Sequence, residues 1–142
     1  MKEGQVMESI SNIIALVLLW CKQNNVRITN ARLQKFLYLI QLEYAKEHKQ
    51  CLISEAFCCW QYGPTIPAVY YEYQIYGAEE IPVNIDKLKV NANYAVFVCK
   101  TMEKYGHLST SDLIRLCHDS EPYKYVTGLF GYNTYIPQSC YL

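Results

Sequence analysis

The chain has 142 residues, 51% of them hydrophobic, and 13 basic against 13 acidic side chains, for a formal charge of zero. That length supports one domain spanning residues 1–142 with a single core, and that much apolar character argues against disorder. A neutral balance leaves no electrostatic footprint for nucleic acid or anionic lipid, so neither a nucleic acid nor a membrane is an expected partner.

The first predicted helix carries Val6, Ile10, Ile13, Ile14, Val17, Leu18 and Cys21 at helical spacing. Ala15, Leu16, Leu19 and Trp20 fill its other face, so it should be buried nearly all round. Its apolar run, Ile13 to Trp20, is shorter than the roughly 20 residues a bilayer span needs. Glu3 and Glu8 before it and Cys21-Lys22-Gln23-Asn24 after it do not fit a signal peptide. Seven cysteines, with no Cys-x-x-Cys pair, read as packed thiols in a reducing compartment, and the expected location is cytoplasmic.

Thr29 or Asn30 can cap a second helix, with Leu33, Phe36, Leu37, Ile40 and Tyr44 as its apolar stripe. Gln34, Tyr38 and Gln41 form a neighbouring stripe of hydrogen-bonding groups, and the helix should fray near His48-Lys49. Phe57 to Tyr62 favours an extended segment, which Gly63-Pro64 should stop. Thr65 is then the expected cap of a third helix that bears Val69, Tyr73 and Tyr76 on one side and ends at Gly77.

After a loop over 78–86, a longer helix is predicted from Asn91, with Tyr94, Phe97, Val98, Thr101, Met102 and Tyr105 as its stripe and Gly106 as its stop. Leu108-Ser109-Thr110-Ser111-Asp112-Leu113 is the clearest start signal: Ser109 caps, Asp112 follows three residues on, and Leu108 can staple to Leu113. That helix ends near His118. Ser120-Glu121-Pro122 opens a short turn closed by Gly128, and the tail is irregular save a last turn after Pro137. The sum is a mainly α, compact single-domain helical bundle with a short β element between the second and third helices.

Reactive groups do not converge. Cys117 and His118 are adjacent, and neighbours on a helix project about 100° apart, so they do not face each other as a nucleophile and its base must. His48, His107 and His118 are too scattered for a metal site. No glycine-rich phosphate loop exists, and no cofactor is expected. A DNA-reading helix should carry Arg, Lys, Asn or Gln outward; the helix from Leu108 to His118 offers only Arg115. Fourteen tyrosines remain to be explained. Tyr70, Tyr71, Tyr73 and Tyr76 cannot all point inward from one helix, and contact with a partner and ordinary amphipathic packing are both open at this point.

Three blocks resemble the Panacea domain, the SocA-like, GepA-like phage-associated antitoxin family. Leu33-Gln34-Lys35-Phe36-Leu37-Tyr38 matches its Leu-Gln-Lys-Leu-Leu-Tyr helix. Trp60, Tyr62, Gly63 and Pro64 match its Trp-x-Tyr-Gly-Pro turn, and Tyr105, Gly106, Leu108 and Ser109 its Tyr-Gly-x-Leu-Ser. Cys117 stands before His118 where the family has Thr, and Tyr123 follows Pro122 where it has Trp. The resemblance implies a helical, non-enzymatic domain that neutralises a toxin encoded nearby by direct binding, in some members handing it to a protease; a homodimer is a further admissible assembly. The alternative is a DNA-binding regulator of a phage or mobile element. In this reading Trp60 anchors the extended segment in the core, Gln34 or Tyr38 hydrogen-bonds turn backbone, and the following tyrosines are presented on a rigid support.

Overall fold

The computed structural model describes residues 10–142; Val6, assigned above to the first helix, lies outside the described residues. Helix α1 (Ile10–Gln23) is buried from Asn12 to Leu18 and again at Trp20 and Cys21, as its two apolar faces require. It packs on α2 (Asn30–His48) and on α4 (Ala95–Tyr105). Thr29 caps α2 by accepting from the Arg32 N–H at 3.3 Å, and Lys49 closes it in the left-handed conformation.

Helix α2 is the axis of the domain. Thirteen of its 19 residues are buried, too many for one apolar stripe, so polar groups enter the interior with their partners. Gln41 shows how: its Oε1 accepts from the N–H groups of Leu52 and Ile53 at 3.0 and 2.8 Å, and its Nε2 donates to the Ile53 carbonyl at 2.8 Å. One side chain thereby satisfies a buried loop that has no ladder of its own.

Strands β1 (Cys58–Trp60) and β2 (Gly63–Thr65) form an antiparallel hairpin, with Cys58 opposite Thr65, Cys59 opposite Pro64 and Trp60 opposite Gly63. The chain therefore reverses at Gln61-Tyr62, not at Gly63-Pro64. Gly63, at φ +118°, takes a backbone that L side chains rarely adopt. Thr65 is not the next cap, because it belongs to β2. The N-cap of α3 (Pro67–Glu72) is Ile66, with Pro67 in the first turn. A 3-10 turn over Gln74–Tyr76 and Gly77 at φ +57° then end the segment as expected.

The predicted start at Asn91 comes four residues early. The Asn91 N–H donates to Asn12 Oδ1 at 2.9 Å, and its own Oδ1 accepts from Asn12 Nδ2 and from the Asn93 N–H. That side chain holds a turn, as Asn does when it competes with helix. Val98, Thr101 and Met102 of α4 are buried, and Gly106 follows because a Cβ there would meet the Trp20 ring and the Met102 carbonyl.

Ser109 caps α5 (Thr110–His118), accepting from the Asp112 N–H at 3.1 Å. Helix α6 (Glu121–Phe130) runs through Gly128, where a stop was expected, and ends at Gly131 with φ +77°. Burial of Pro122, Tyr123 and Val126 outweighs the roughly 1 kcal/mol that an interior glycine costs. The tail has its 3-10 turn at Gln138–Tyr141, but it is less irregular than the sequence suggests. Tyr135 bridges Cys58, the Cys59 N–H donates to the Thr134 carbonyl at 2.9 Å, and the Asn133 N–H donates to the Cys59 carbonyl at 2.7 Å. Backbone groups alternate between the two edges of a strand; those of Cys59 face away from β2, and the tail completes the ladder there. The domain is mainly α with one short sheet. Among the described residues no helix is long and apolar enough to cross a membrane.

Candidate partner-binding corner

The hairpin rests on one face of α2 and on the junction of α5 and α6. Gln34, 1% exposed, accepts from the Ile66 N–H at 3.0 Å through Oε1 and donates to Asn30 Oδ1 at 3.1 Å. Asn30 in turn donates to the Tyr70 carbonyl at 2.9 Å. The expected support of turn backbone thus comes from Gln34. Tyr38 turns elsewhere: its hydroxyl lies 2.6 Å from Ser120 Oγ, which donates to the Cys117 carbonyl at 2.7 Å.

Lys35 is the unusual member. It is 3% exposed, and a Cβ at Gly63 would sit 2.9 Å from its Cε, so glycine is required there by space as well as by φ. No carboxylate pairs with it among the described residues. Burial pulls the amine down to about 8, against a smaller opposing influence of Cys117. The Cys117 thiol is pushed up to about 12, by burial first and with Lys35 opposing. Such a thiol is protonated at neutral pH and is a poor nucleophile. His118 stacks on Tyr123 at 5.0 Å and 12° between planes, and its buried Nε2 has no partner among the described residues. The Tyr123 hydroxyl donates to the Trp60 carbonyl at 2.7 Å, so this departure from Trp still supplies a ring-borne donor.

Trp60 does not enter the core. It is half-buried, its ring 5.1 Å from Tyr70 edge-on and 6.2 Å from Tyr71. The hairpin is anchored by its backbone and by Cys58, Cys59 and Phe57, which leaves the indole to build a ridge with α3. Tyr62, at the turn, is 75% exposed and Tyr71 is 60% exposed, while Tyr70 is half-buried between Trp60 and Tyr71. Tyr73 and Tyr76 pack against the edge of the core. The four tyrosines singled out by sequence therefore divide in two, and Tyr62 joins the outer group. Arg115, the one outward cation of α5 in the sequence reading, is ion-paired with Asp112.

A family model described as the antitoxin SocA-like Panacea domain matches residues 33–124, well over half the sequence. The chain belongs to that family. No curated protein and no solved structure matches it significantly. Membership gives this Panacea domain an antitoxin-type role, with a toxin as partner in general terms, and suggests a non-catalytic one. The match opens at Leu33, on the helix that forms the hairpin's floor, and closes at Lys124, just after Tyr123. Sequence reasoning named Asn30 only as a possible helix cap, Ser120 only as the opening of a short turn and Tyr123 only as a departure from the family's Trp, and gave none of them a role at this corner. The Ser-x-Pro-Tyr step after α5 reads only as a helix start, and nothing local shows that its hydroxyls reach α2 and β1.

Proposed function

We propose that this Panacea domain neutralises its cognate toxin by direct contact, through the ridge of Trp60, Tyr62, Tyr70 and Tyr71. The supporting observation is the open phenol ring of Tyr71 beside a half-buried indole, with Tyr62 open in the adjoining hairpin turn. Tyrosine and tryptophan bring large contact area with few torsions to freeze. Here the backbone beneath them is held by Gln34 and Tyr123, which lowers the entropy lost on binding. The same contact would let the domain present a toxin to a protease, since the ridge occupies one corner only.

The test is co-expression with the product of the neighbouring gene. The parent chain should restore growth and co-purify with that product. Tyr62→Ala combined with Tyr71→Ala should do neither while folding normally. Growth restored equally by the double variant would place the contact elsewhere; no rescue and no co-purification by the parent would count against the function itself.

A further inference from the structure

Four clefts of the described surface differ in charge. Three contain a carboxylate: Glu72 in one, Glu121 in the second and Glu80 in the third. The fourth, of about 400 Å³, is lined by Arg27, Arg32, His107, Ser109 and Thr110 among others, with no acidic residue. Two arginines thus line a cleft that holds no carboxylate, on a chain whose formal charge is zero.

Arg32 is 8% exposed. Its guanidinium donates to the Leu108 and Gly106 carbonyls at 2.8 and 3.0 Å and to Thr110 Oγ1 at 3.3 Å, tying the start of α2 to the turn between α4 and α5. Its buried Nε has no partner among the described residues, and no carboxylate there pairs with the group. Burial lowers its pKa, and the nearby Arg27 adds to that lowering. Helix α5 begins at the same wall, with its positive end toward the cleft residues Ser109 and Thr110. Asp112 in its first turn is engaged by Arg115 and does not line the cleft.

We infer that this cleft is a binding site for a phosphate group. Arg27 and His107, both exposed, supply donors at the rim; the α5 start and its two hydroxyls supply the wall. Arg32 holds the turn in shape and provides the buried positive charge behind it. Donors from several directions suit a tetrahedral oxyanion with several acceptor oxygens. The site uses none of the ridge residues and stands apart from the toxin-contact reading.

The full chain is titrated with inorganic phosphate and, separately, with adenosine monophosphate, following backbone amide resonances. Saturable shifts centred on residues 106–110 are expected. Arg27→Ala, which leaves the Arg32 clamp and the melting temperature intact, should weaken binding about tenfold, and Lys124→Ala, on α6 and outside the cleft, should leave it unchanged. Tighter binding of the nucleotide assigns the phosphate to a nucleotide; equal binding assigns it to the free ion. No saturable shift in this region, or undiminished affinity in Arg27→Ala, overturns the site.

Discussion

Along α2, Gln34, Tyr38 and Gln41 are enclosed and each hydrogen-bonds another segment; in the hairpin turn and on α3, Tyr62 and Tyr71 stand mostly in solvent. Both groups are polar-tipped side chains within the residues that the family model matches. Their environments separate them into a group whose loss should destabilise the domain and a group whose loss should leave its stability nearly unchanged. A buried acceptor or donor without its partner costs its full desolvation, whereas an exposed phenol has water in either state.

Four substitutions probe that division. Gln41→Ala strips partners from Leu52, Ile53 and a buried carbonyl at once, and should lower the unfolding free energy by roughly 3 kcal/mol, read from a urea midpoint. A loss below about 1 kcal/mol would mean water replaces the amide and the floor is not sealed.

Lys35→Met should move stability the other way. In the unfolded chain the amine titrates near about 10.4, and in the folded chain near about 8. Between those values the unfolded state binds more protons, so folding stability gains with rising pH and is lost as pH falls through about 8. Above pH 9 or so the buried Cys21 and Cys117 thiols, both pushed up to about 12, oppose that gain. Below pH 8 the methionine variant lacks the buried charge and should exceed the parent by on the order of 1–3 kcal/mol. The gap should shrink on moving from about pH 6.5 to about pH 9; thermal melts of both chains at the two values decide it, and a constant gap would show that the folded Lys35 amine keeps its proton across that range and that burial does not depress it.

Trp60→Ala should cost about 1–2 kcal/mol, less than the roughly 3–5 kcal/mol of a fully enclosed ring, because its indole is only half-buried. A core-sized loss in calorimetry would return Trp60 to the structural layer. Tyr71→Ala should change stability by no more than about 0.5 kcal/mol and weaken toxin binding roughly tenfold, measured by titration calorimetry against the co-purified partner. Unchanged affinity would remove Tyr71 from the contact.

Helices were legible wherever local chemistry decides them. Thr29 and Ser109 cap as their side chains dictate, and the stripe of α2 is buried as spaced. The second polar stripe, Gln34, Tyr38 and Gln41, was visible because hydrogen-bonding groups at helical spacing beside an apolar face must find partners. Errors came where a distant partner outweighed the local signal. Asn12 captures Asn91 and delays α4, packing carries α6 through Gly128, and the tail's pairing with β1 joins residues that no local pattern connects. Trp60 was misplaced for a related reason: a large ring in an extended run reads as core, and only the hairpin's true turn at Gln61-Tyr62 shows that it faces α3. The basic cleft was invisible because Arg27, Arg32 and His107 come from separate stretches of a chain whose charges cancel overall.

The return of residues 133–136 along β1 bears on handling the protein as well as on its shape. Proteolytic trimming ahead of Asn133 would bare the Cys59 amide and carbonyl and leave a raw strand margin, open to zipping against another copy. Affinity tags that tug on this end would fray the seam that steadies the aromatic corner from behind.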